Sequence, residues 1–132
     1  MKLKDREMAV LAYLFAIVPL WGVLAAFMIW MAYRDTNRKV VYHAHQALSL
    51  HFLMLMVFVL FSIFLLVVRV LRMVDPRLAE WLSAGNYYAL IGAFVIYCLA
   101  CLLAAIKVLG GKADFEIPLI GRILKNSNND YR

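Results

Sequence analysis

Three uninterrupted apolar stretches constrain this chain more than any other feature. They are MAVLAYLFAIVPLWGVLAAFMIWMA at residues 8–32, QALSLHFLMLMVFVLFSIFLLVV at residues 46–68 and NYYALIGAFVIYCLACLLAAI at residues 86–106. A bilayer core about 30 Å thick is crossed by about 20 helical residues rising 1.5 Å each, so stretches of this length predict membrane helices. A spanning strand would alternate its apolar residues and belong to a closed barrel, and these stretches do not alternate. Composition agrees: the 132 residues are 66% hydrophobic and 17% charged, against about 25% charged in a soluble domain. The expected fold class is an all-α integral membrane protein with three apolar segments. A single helical membrane domain is expected over residues 1–125, followed by a disordered tail over 126–132.

Within that frame the second helix is expected to run from Tyr42 to about Met73. Asp75-Pro76 stops it, and Pro76 suits the first turn of a short surface helix ending near Gly85. Gly110-Gly111 is expected to end the third helix. Beyond it, Phe115, Ile117, Leu119, Ile120, Ile123 and Leu124 stand among charges and read as an interfacial segment. The first apolar run exceeds the ~7–15 residues of a signal-peptide core and is expected to stay in the mature protein. It carries a break signal at Val18-Pro19-Leu20-Trp21-Gly22, so it either spans once or dips in and returns.

Charge distribution bears on that choice. The formal net charge is +6. The cations flank apolar runs, where they mark the cytoplasmic side or meet anionic lipid, and no base-stacking basic patch points to nucleic acid. With a returning first segment, only Arg69, Arg72 and Arg77 of the 14 Lys and Arg residues face the far side. The positive-inside rule favours that arrangement and puts the C-terminus in the cytoplasm of a bacterial inner membrane. Trp30, Tyr33 and Tyr42, and separately Trp81, Tyr87 and Tyr88, read as interfacial aromatic belts.

The polar residues at the threshold of the second segment are the candidate site. On a helix His43 and His45 lie about 200° apart and His45 and His51 about 120° apart, so no pair offers two ligands to one metal at i, i+4 spacing. His43 and His45 are read as wet residues at the helix start. Gln46 and His51 lie deeper and read as helix-to-helix hydrogen-bonding groups. His45, Gln46 and His51 together form the candidate packing and partner face. Cys98 and Cys101 share a face at i, i+3 among alanines, and with Ala89, Ala93 and Ala105 they read as a small-residue packing ladder. No serine–histidine–acid set, paired intramembrane carboxylates or phosphate-cradling glycine loop is present, so no enzyme, cofactor or bound metal is expected.

Two motifs carry a family resemblance. The stretch RKVVYHAHQAL before the second helix, with Arg38, Tyr42, His43, Ala44, His45, Gln46, Ala47 and Leu48, resembles an RFVRFHAxQAL signature. Ile117, Pro118, Leu119, Ile120 and Gly121 resemble that family's GxxxxIPLIG ending. The family is a group of small bacterial membrane proteins related to the twenty-kilodalton channel-forming subunit of the chloroplast inner-envelope protein translocon. The resemblance, over about residues 8–124, implies a small helical protein working within an assembly. The functional expectation is a non-enzymatic accessory subunit whose partners are the lipid bilayer and other membrane subunits or further copies of itself. Two alternatives come from other classes. One is a metal or haem carrier using His43, His45, His51 or the cysteine pair, and the other is an oligomeric conducting element.

Overall fold

A computed structural model describes residues 3–18, 21–111, 115 and 117. The described residues form four helices: α1 (Leu3–Ala16), α2 (Trp21–Tyr33), α3 (Arg38–Leu71) and α4 (Pro76–Leu109). At 34 residues each, α3 and α4 would reach about 51 Å, long enough to cross a membrane with turns to spare. They are also exposed where they are most apolar: 6% of the most hydropathic window of α3 is buried, and 22% of that of α4. A core helix of a soluble protein would be mostly buried. Faces carrying Phe52, Leu53, Met56, Leu60, Ile63 and Val67 far exceed the apolar patch that a water-soluble surface tolerates. The chain is therefore a small membrane protein with two candidate spans.

The first apolar stretch is not one helix. It is divided between α1 and α2, of 14 and 13 residues, or about 21 and 20 Å. Neither arm reaches across a hydrocarbon core of about 30 Å, so the third expected span is absent among the described residues. The end of α1 tightens into three-residue turns, with the Ile17 amide donating to the Leu14 carbonyl at 3.2 Å and Val18 to Phe15 at 2.9 Å. Gly22 then lets α2 pack on α1. A Cβ at this position would overlap the Phe15 carbonyl oxygen and stand 2.9 Å from the Ala16 Cα. Only a glycine permits that approach.

Helix boundaries follow local chemistry. Asn37 caps α3: its Oδ1 accepts from the amides of Lys39 at 3.1 Å and Val40 at 3.4 Å. Asp75 does the same for α4 through the Leu78 amide at 3.1 Å, with Pro76 in the first turn. At the other end Gly111 takes φ +91°, the left-handed conformation that closes a helix. Two boundaries differ from expectation. The Asn37 cap starts α3 at Arg38, four residues before the expected Tyr42. No separate surface helix ends at Gly85; α4 runs unbroken from Pro76 through Gly85 and Gly92 to Leu109. In a bilayer, glycine does not end a helix as readily, because no water competes for its backbone groups.

The described helices fall into two compact units. The first comprises residues up to His51 and from Cys98 onward. Its core is built of small residues: Ala9, Ala12, Ala16 and Ala26 from the α1–α2 pair, Ala44 and Ala47 from α3, and Cys101, Ala104 and Ala105 from α4. Such residues let helix backbones approach closely, the packing that membrane helices use in place of a hydrophobic driving force. The second unit, residues 52–97, buries little beyond Val68, Ala79, Asn86 and Tyr97. Of the segments expected to be interfacial and disordered, only Phe115 and Ile117 are among the described residues; the rest, with Pro118 to Gly121, lie outside them.

Candidate functional site

The polar residues of the first unit converge on one side chain, Tyr13 of α1. It is fully buried, and its O–H donates to Gln46 Oε1 at 2.8 Å. The same oxygen lies 3.2 Å from His43 Nδ1. A phenol has one proton, and that proton is committed to Gln46. His43 therefore donates from Nδ1 to the phenol oxygen, which fixes its tautomer. The Tyr13 and His43 rings meet edge-on with centroids 6.0 Å apart, and Tyr42 meets His43 at 5.9 Å. Burial, with Tyr42 and Cys101 nearby, holds the Tyr13 hydroxyl well above its ordinary pKa, so the phenol remains a donor.

Two further contacts lay α1 alongside the first turns of α3. At the start of the pair, Asn37 Nδ2 donates to Asp5 Oδ2 at 2.8 Å while its oxygen caps α3. At the other end, His51 Nδ1 lies 3.2 Å from the Ala16 carbonyl. A carbonyl only accepts, so His51 carries its proton on Nδ1 and satisfies one of the terminal carbonyls that α1 cannot bond internally. Asp5 with Asn37, Tyr13 with Gln46 and Ala16 with His51 advance together along both helices, so α1 runs parallel to the start of α3.

The expected wet pair of histidines is split. His45 is exposed, but His43 is fully buried and bound to Tyr13. The opposed directions of the two side chains were legible in their spacing. What overturned the wet assignment of His43 is α1, whose Tyr13 covers that face of α3. Of the candidate partner face, Gln46 and His51 are buried and spent on internal contacts, and His45 points away from them. Gln46 Nε2 is buried with no hydrogen-bond partner among the described residues. Tyr13 was not among the residues singled out in the sequence, although a tyrosine amid an apolar run implies a partner for its hydroxyl.

Cys101 is buried and Cys98 half-buried, and the two are not joined in a disulfide. Among the described residues, no three His, Cys, Asp or Glu side chains are grouped so as to hold a metal ion. The Arg6 guanidinium sits beside the end of α4, with Nη1 3.7 Å from where a Cβ on Gly111 would stand. A cation there faces the negative end of the helix dipole.

This geometry ties helices together. Against known proteins, a family model described as the magnetosome magnetite crystal formation protein family, MamF/MmsF, matches residues 4–124. No curated protein matches the chain, and no solved structure does. The match covers nearly the whole chain, and the chain belongs to that family. The translocon-related resemblance is thereby corrected. It rested on two short motifs, and most of RKVVYHAHQAL is accounted for by local packing. Arg38 and Lys39 open α3, Ala44 and Ala47 are buried small residues, and His43 and Gln46 bond Tyr13. Residues selected by helix packing recur wherever the same packing does, so they identify a family poorly.

Proposed function

We propose, with membership of the magnetosome magnetite crystal formation family as the premise, that this chain is a non-enzymatic accessory subunit of the membrane in which magnetite crystals form. The supporting observation is where the polar groups go. Tyr13, His43, Gln46 and His51 hold α1 against α3, while the apolar faces of α3 and α4 are left to lipid. A chain arranged this way shapes a membrane or an assembly within it and carries out no bond-making step of its own.

In this reading α3 and α4 are two antiparallel spans, and α1–α2 is a re-entrant hairpin. The Asp5–Asn37 hydrogen bond closes the hairpin's two ends on one side, and its arms of about 20 Å stop short of the far headgroups. The freed backbone at its tip is tolerated because protein satisfies it, as His51 does for Ala16. All cations except Arg69, Arg72 and Arg77 then share the cytoplasmic side with the C-terminus.

The test is deletion of the gene in its native host, with complementation by wild type and by a Tyr13→Phe/Gln46→Leu variant. Electron microscopy of crystal number, size and shape is the readout. Deletion is expected to shift those distributions, wild type to restore them and the variant to restore them less. Distributions unchanged by deletion would contradict the proposal.

A further inference from the structure

Near the turn between α3 and α4 lies a polar cleft that none of the contacts described above uses. Its volume is about 390 Å³, and its walls are Arg72, Glu80, Ser83, Ala84, Tyr87 and Tyr88. Local sequence builds it. Glu80, Ser83, Ala84 and Tyr87 follow one another at i, i+3, i+4 and i+7 and so share a face of α4. Arg72 follows the last residue of α3 and brings a cation to the same cleft from the other helix. Opposite charges thus line one cavity. Yet no ion pair joins Arg72 to Glu80, and neither side chain hydrogen-bonds another described residue.

The sequence also sets the depth of this cleft. Tyr87 and Tyr88 open the apolar stretch 86–106, and their rings meet edge-on with centroids 5.9 Å apart. Glu80 precedes Tyr87 by two helical turns and stands about 10 Å further out along α4. The cleft therefore occupies the headgroup layer, between hydrocarbon and water, where tyrosines anchor. Below Tyr88, Ile91 and Val95 continue the same face of α4, and both are exposed.

We propose that this cleft binds the headgroup of a zwitterionic phospholipid, phosphoethanolamine, with the acyl chains lying along Ile91 and Val95. The Arg72 guanidinium takes the phosphate through paired N–H donors, and the Glu80 carboxylate accepts from the ammonium. The two charges are left for a ligand that carries both signs, and a zwitterion neutralises each in turn. Phosphoglycerol, an anionic headgroup, would satisfy Arg72 but place a like charge beside Glu80, so the carboxylate selects against it. Soluble phosphoethanolamine has the same charges but lacks the chains that would cover the apolar face below the cleft. This inference rests on α3 and α4 crossing the membrane and not on the role in crystal formation.

The test is native mass spectrometry of the full-length chain in detergent, titrated with phosphatidylethanolamine and phosphatidylglycerol of identical acyl chains. Wild type is expected to bind the ethanolamine lipid about tenfold more tightly, the scale of one charge-assisted hydrogen bond. Glu80→Gln should erase that preference, weakening the ethanolamine lipid and strengthening the glycerol lipid. Arg72→Gln should weaken both lipids about tenfold. Both residues are exposed, so the helical circular dichroism and melting temperature of each variant should match wild type. Equal binding of the two lipids by wild type, or a preference that survives Glu80→Gln, would overturn the proposal. So would a fall in melting temperature in both variants with lipid binding unchanged, which would mean that Arg72 and Glu80 serve only each other. Displacement of the lipid by equimolar soluble phosphoethanolamine would overturn the assignment to lipid. Vesicle labelling of a cysteine at position 74 reports the placement of α3 and α4 separately, so a chain that passes it without lipid selectivity defeats this inference alone.

Discussion

Removing the hydroxyl of Tyr13 should damage the fold more than removing the amide of Gln46, although the two are hydrogen-bonded to each other. Tyr13→Phe strands two buried groups at once: Gln46 Oε1, which loses its 2.8 Å donor, and His43 Nδ1–H, which loses its acceptor 3.2 Å away. An unsatisfied buried group costs about 1–3 kcal/mol, and interhelical hydrogen bonds measured in membranes lie at the low end, about 0.6–1.7 kcal/mol. For two groups the expected loss is about 2 kcal/mol. Gln46→Leu leaves the Tyr13 O–H free to donate to His43 Nδ1 after a change of tautomer, and it also removes the unpaired Nε2. Its expected cost is about 1 kcal/mol or less. The double variant lacks both partners, so its loss should fall short of the sum by about 1 kcal/mol. Reversible unfolding in a mild detergent, followed by circular dichroism and analysed as a double-mutant cycle, measures all three. Additive losses, or a larger loss for Gln46→Leu than for Tyr13→Phe, would refute the hydrogen-bond assignment.

Other positions give equally direct expectations. Gly22→Leu should open the α1–α2 pair at a cost of about 3 kcal/mol or more, because its Cβ overlaps backbone and no side chain can move aside; the same reversible unfolding in detergent measures it. Asn37→Ala removes the cap of α3 together with the tie to Asp5 and should cost about 1–2 kcal/mol in the same unfolding assay. His51→Leu removes the 3.2 Å contact to the Ala16 carbonyl and should cost about 1 kcal/mol, while His45→Leu at an exposed position should change stability by no more than about 0.5 kcal/mol.

The two long helices were legible because a bilayer demands length and apolarity, and residues 46–68 and 86–106 display both. The division of the first stretch was signalled by the Pro19 and Gly22 pair, and Gly22 proves to be the point of closest approach between α1 and α2. Gly85 misled, since a rule learned from helices in water does not hold where backbone groups have no other partner. The burial of His43 was hidden for a different reason. Its spacing from His45 shows that the two point apart, but which of them is covered depends on Tyr13, 30 residues earlier in the chain. Periodicity within one helix carries no information about a neighbour laid across it. The same limit explains the misassigned family: a short motif reports the packing it serves, and that packing is common to unrelated helical proteins.

The account stands on α3 and α4 crossing the membrane while α1 and α2 enter and return. Single cysteines at Lys4, Thr36, Val74 and Gly110, in a background lacking Cys98 and Cys101, can be probed with an impermeant thiol reagent in sealed right-side-out and inverted membrane vesicles. Positions 4, 36 and 110 are expected to label together in inverted vesicles, and position 74 alone in right-side-out vesicles. Labelling of positions 4 and 36 from opposite sides would mean that the first stretch spans the bilayer, and would contradict the arrangement.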